Sequence, residues 1–111
     1  MTWTGWNNGA HHRSGAGYGL KVDSADRDRH FRRTWQRVTV KLPSKAGAVV
    51  TELNVAKKSF WGEQCRELIS KDIGGWLLGQ GYAPWGNGER PKFEVEQIAD
   101  RRFRLVRRVA A

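Results

Sequence analysis

A small α+β domain is the fold class this sequence predicts: a curved, mostly antiparallel five-stranded sheet or pseudobarrel with two to three short helices. Three observations lead there. Apolar and polar residues alternate in five short stretches, which is the period of a half-buried strand. Short stretches opening on Asp or Ser carry helical signals between those strands. The long crossover helices that a doubly wound parallel sheet requires are missing. With 111 residues the chain makes one domain and a modest core, and six Trp and four Phe concentrate that core into few large side chains.

Residues 1–16, rich in Gly, Asn, His and Ser, read as a flexible arm or loop whose ends Trp3 and Trp6 pin, and residues 17–109 as the α+β domain. In "YGLKV" Tyr18, Leu20 and Val22 alternate with Gly19 and Lys21, giving the first strand. Asp23 or Ser24 then caps a short helix with Asp26 near its start and Arg32 and Arg33 near its end, the placement the helix dipole favours. Phe31 and Trp35 anchor that helix to the core. "WQRVTVKL" puts Val38, Val40 and Leu42 on one face and Arg37, Thr39 and Lys41 on the other. After the turn "PSKAG" it pairs antiparallel with "VVTELNV". In "SFWGEQCRELIS", Ser59 serves as an N-cap and Trp61, Cys65 and Leu68 form a buried stripe at i, i+4, i+7. A further helix, "SKDIGGWLLGQG", is capped by Ser70, buries Ile73, Trp76 and Leu77, and ends on Gly79 or Gly81. After the loop "YAPWGNGERP", the strands "KFEVEQI" and "RFRLVRRV" turn at Ala99 to Arg101 and face Phe93, Val95, Phe103 and Leu105 inward.

Composition narrows the function. A mean hydropathy of −0.68 without a long apolar run argues against a transmembrane helix. The start has neither the basic head nor the apolar stretch of a secretory signal. A cytoplasmic protein with no membrane partner is expected. The single cysteine, Cys65, makes no internal disulfide or multi-thiolate zinc site, which agrees with a reducing compartment. Twenty Lys and Arg against eleven Asp and Glu give a net charge of +9, and the pI is near 10.5. Such a domain attracts phosphate backbones through counterion release. The excess is concentrated. Six basic residues and one acid lie between Arg27 and Lys41, and five arginines without an acid between Arg101 and Arg108.

Other constellations are weaker. His11 and His12 have only His30, Cys65 and scattered carboxylates as partners, at no metal-ligand spacing, so a solvated loop is expected and no metal or cofactor. Cys65 reads as a core thiol more readily than as a nucleophile. Asp26, Asp28 and His30 beside arginines have the residue types of a phosphodiesterase, but their two-residue spacing points them in different directions on a helix. "GAGYG" leads into a strand and lacks a following Lys-Ser or Lys-Thr, so it is no P-loop. In "YAPWGNGERPKF", Trp85 with Arg90 and Lys92 nearby can stack on an unpaired base, or pack down to close the core.

The string "GAGYGL", "DRDRHF", "SFWGEQCREL", "IGGWLL", "APW" and "PKFEVE" resembles a family of small bacterial proteins with this order of motifs along nearly the whole chain, a resemblance that implies no activity. Residues 16–108 also resemble the B3-type DNA-binding pseudobarrel in element order. There a strand leads into a short helix ending in an aromatic, as in "GLKVDSADRDRHF", followed by a strand pair and an aromatic-rich helix like "SFWGEQ". A second helix directly after that one departs from the pattern. The residues together point to a non-enzymatic nucleic-acid-binding domain, DNA or RNA, with two arginine-rich surfaces. The first is Arg27, Arg29, Arg32, Arg33, Arg37 and Lys41, and the second Arg102, Arg104, Arg107 and Arg108. Arg13, Trp85, Arg90 and Lys92 are accessory contacts. The alternative is a protein-interaction module for an acidic partner, and a third reading is a small phosphodiesterase or nuclease.

Overall fold

A computed structural model describes residues 1–63, 66–86 and 88–109. Among these residues seven strands form one sheet: β1 (Thr2–Asn7), β2 (Tyr18–Val22), β3 (Arg37–Leu42), β4 (Val49–Asn54), β5 (Glu67–Ile69), β6 (Lys92–Ala99) and β7 (Arg102–Arg108). Their order across the sheet is β4-β3-β7-β6-β1-β2-β5, and all neighbours run antiparallel except β3 and β7. Among the described residues two α-helices, α1 (Ser24–His30) and α2 (Lys71–Gly79), accompany it. The sheet curls until its outer strands nearly meet. Thr51 on β4 reaches across to the start of α2, where its Oγ1 lies 3.3 Å from Ser70 Oγ and donates to Asp72 Oδ2 at 3.2 Å.

The strand alternation places side chains as the sequence predicts. Tyr18, Leu20, Val22, Val38, Val40, Leu42, Phe93, Val95, Phe103 and Leu105 are all buried. Near α1, Phe31 stacks on Phe103 with centroids 4.7 Å apart and touches Phe60, while Trp3 packs on Phe103. Near α2, Trp76, Tyr82 and Phe93 form a second aromatic cluster, and the Trp76 indole donates to the Pro43 carbonyl at 2.6 Å. The predicted cap of α2 is present, with Ser70 Oγ accepting from the Asp72 amide at 3.0 Å.

Two strands exceed the expected five. The first is β1, in the stretch expected to be a loop or arm. Thr2 and Thr4 alternate with buried Trp3 and Gly5, but a glycine at an inward position hides the pattern. Only glycine fits there, because an added Cβ would lie 2.8 Å from Pro91 Cγ. The second is β5, within the predicted helix "SFWGEQCRELIS". A 3₁₀ turn over Lys58–Trp61 replaces the start of that helix. Leu68 is buried because it pairs with Leu20 across the sheet, so its spacing from Trp61 was not a helical stripe. Trp61 is only half-buried, its indole donating to Val55 O at 2.9 Å. Cys65 lies outside the described residues. No helix among the described residues is long and apolar enough to cross a membrane.

Candidate nucleic-acid interface

The parallel pairing of β3 with β7 brings the two basic blocks together. Thr39 stands opposite Arg102 and Lys41 opposite Arg104, on strands separated by about 4.8 Å. What the sequence presents as two surfaces is thus one continuous surface on the outer face of the sheet. At its α1 end the β6–β7 turn joins it. Arg37, Arg101 and Arg102 line a cleft of about 500 Å³, and Arg29 and Arg32 line a neighbouring one of about 300 Å³, with Asp100 on the wall of both. Arg33 is exposed nearby, its guanidinium 4.9 Å from the Trp61 ring centroid. Arg101, absent from the sequence-derived residues because it sits in the turn, has a φ of 59° and belongs to this rim. Its only signal in the sequence was membership of the second arginine block.

Arg27 does not belong to the surface. It is buried, and its guanidinium donates to the carbonyls of Phe60 at 3.0 Å and Gly62 at 2.6 Å and to Asp28 at 3.0 Å. It clamps α1 to the 3₁₀ turn, a structural task. Further along the sheet Arg104 pairs with Glu96 and Arg107 with Glu94 at 3.6 Å, and within the rim itself Arg37 pairs at 4.0 Å with Glu52, which lines the same cleft. All six side chains are substantially exposed, so these pairs are screened and weak, but the carboxylates still dilute the positive field. By contrast Arg29, Arg32, Arg33, Arg101 and Arg102 have no carboxylate within 4.0 Å among the described residues. The concentrated positive charge therefore sits at the α1 end.

Arg13 stays exposed on the loop between β1 and β2, apart from this rim. Trp85, Arg90, Lys92 and Arg108 gather at the other end of the barrel, around a separate cleft with Tyr82. Asp28 and His30 do share the small cleft of Arg29 and Arg32, in spite of their spacing. Each is already engaged, Asp28 by Arg27 and His30 Nδ1 by Gln97 Oε1 at 3.1 Å. His11 is bound to the Tyr18 hydroxyl. No group of three metal-ligating side chains occurs among the described residues.

Comparison with family models, curated proteins and solved structures finds no match. Function has to be read from the side chains themselves.

Proposed function

We propose that this chain is a non-enzymatic nucleic-acid-binding domain whose contact surface is the arginine-rich α1 end, continued along β3 and β7. The observation that carries the proposal is the β3–β7 pairing, which joins basic residues from two distant segments into one surface. A cluster of arginines that outnumbers the carboxylates beside it, here Asp28, Glu52 and Asp100, attracts phosphate backbones, and guanidinium forks suit their oxygens in bidentate geometry. The reading rests on this charge surface and not on the B3-type element order, because "SFWGEQ", which stood for the aromatic-rich helix of that pattern, opens as a 3₁₀ turn, and β1 and β5 are added to the sheet. The reading sets the domain in the cytoplasm, in keeping with a single cysteine.

A gel-shift assay at two salt concentrations tests it. The parent should bind unrelated nucleic-acid sequences and weaken steeply as salt rises. Replacing Arg29, Arg32 and Arg33 by Gln should lower affinity and shrink the log–log salt slope by up to about 0.9 for each duplex phosphate that is no longer neutralised. Equal affinity and an unchanged slope in the triple variant would sink the proposal. A shallow slope with no affinity for random DNA or RNA would favour an acidic protein partner. Turnover of a phosphodiester that Asp28→Asn or His30→Gln abolishes while binding persists would favour catalysis.

A further inference from the structure

We propose that the cleft at the α2 end binds a nucleotide, its base stacked on Trp85 and its phosphate held by Arg90, Lys92 and Arg108. The site is independent of the arginine surface. β6 runs from Lys92 at this end to Ala99 at the other, about 23 Å at the usual rise per strand residue.

The cleft has a volume of about 730 Å³ and is walled by Tyr82, Trp85, Glu89, Arg90, Lys92 and Arg108. Three features fit it to a ligand that is flat and aromatic at one end and anionic at the other. First, the indole is held in place. His11 meets Trp85 edge-on with centroids 5.2 Å apart, and buried Tyr18 does so at 5.5 Å. The His11 ring is itself bonded to the Tyr18 hydroxyl, so the platform is set before a ligand arrives. Trp85 is half-buried and packed against the core, and with Arg90 it lines an adjoining hollow of about 430 Å³ on the His11 side, so one part of the indole anchors it while another borders the cleft.

Second, the cations are available. Arg90, Lys92 and Arg108 are exposed and have no ion-pair partner among the described residues, unlike the matched arginines on the outer sheet. Arg108 lies over the Tyr82 ring at 5.5 Å, a position that orients its guanidinium at the cleft wall. Third, one acid is present. The Glu89 carboxylate comes close to Gly86 on the loop, where it repels a phosphate and can accept from an exocyclic amino group. The phosphate therefore belongs at the Lys92–Arg108 side and the amino edge of the base at the loop.

The test is calorimetric titration of the full chain with AMP, adenosine and inorganic phosphate. AMP should bind at least about tenfold more tightly than either fragment, since base stacking and phosphate contacts act together. Trp85→Leu and the pair Arg90→Gln with Lys92→Gln should each weaken AMP about tenfold or more, while Lys58→Gln, on the 3₁₀ turn that Arg27 holds against α1 at the opposite end, should leave it unchanged. Because Arg90 and Lys92 are exposed, their double variant keeps the test decisive if Trp85→Leu fails to fold. Competition by an oligo(dA) strand would identify the source of the nucleotide as an unpaired residue of a polymer, and lack of competition a free nucleotide; both support the site. Phosphate binding as tightly as AMP, no AMP binding at millimolar concentration, or AMP binding that survives the double variant would overturn it. Duplex binding, measured separately on the parent, reports on the arginine surface alone.

Discussion

Arg27 and Arg29 stand two positions apart on one helix and do different work. The Arg27 guanidinium is buried against two backbone carbonyls, so shortening it strands both acceptors. Arg27→Gln should cost about 2–4 kcal/mol in a urea titration. Arg29 is exposed, and Arg29→Gln should shift stability by no more than about 0.5 kcal/mol. Equal effects from the two variants would show that the clamp to the 3₁₀ turn contributes nothing. Tyr18 adds a pH dependence. Burial raises its hydroxyl above the usual tyrosine pKa of 10.0, so the folded state keeps its proton at a pH where the unfolded chain has lost it. The contribution is fully present below pH 10 and is lost as pH rises through the raised folded value. Stability should therefore fall above about pH 10, and a pH series on Tyr18→Phe should show a shallower decline.

At the scale of elements, α2 carries two adjacent glycines with opposite requirements. A Cβ on Gly74 would come 2.0 Å from the Gly15 carbonyl oxygen, so the loop before β2 lies directly on the helix, whereas a Cβ on Gly75 meets nothing within 4 Å. Gly75→Ala should stabilise by about 0.5–1 kcal/mol through helix propensity. Gly74→Ala should destabilise by more than that, and thermal melts of the two variants will separate them. The same loop and its strand show what could be read in advance. Five strands, α2 and its Ser70 cap were legible because each repeats a local period or cap, and α1 by the order of its charges, since the expected cap at Asp23 makes no side-chain bond. The strand β1 was not, because Gly5 carries no hydrophobicity at its inward position, and β5 was not, because three residues are too few to display a period. Both basic blocks were visible as composition. Their union was not, because the register of β3 on β7 depends on the closing of the whole sheet. Arg27 was miscounted as surface because a guanidinium gives no sequence signal of the two carbonyls that bury it.

The molecule as a whole carries +9 on a body with a radius of gyration of 13.0 Å, so salt should act on it in two opposed ways. Screening relieves self-repulsion, and the three exposed ion pairs of the outer sheet are too weak to reverse this. Raising salt from about 10 to 200 mM, across which the screening length falls severalfold, should therefore increase the urea midpoint while it weakens nucleic-acid binding. A midpoint that falls with salt would mean that the ion pairs outweigh the repulsion. The position of β1 has a further consequence, for the time course of assembly. Trp3 pairs with Val22 on one side and with Phe93 on the other, so the strand near the start of the chain occupies the interior of the sheet. Bringing Trp3 and Phe93 together closes a loop at an entropic cost of about 4 kcal/mol, whereas the β3–β4 and β6–β7 hairpins close locally. The hairpins should form early and the barrel last, giving slow folding for a chain of this size. During synthesis Trp3 leaves the ribosome long before Phe93 exists, and β1 must stay unpaired on that flank until β6 has been made.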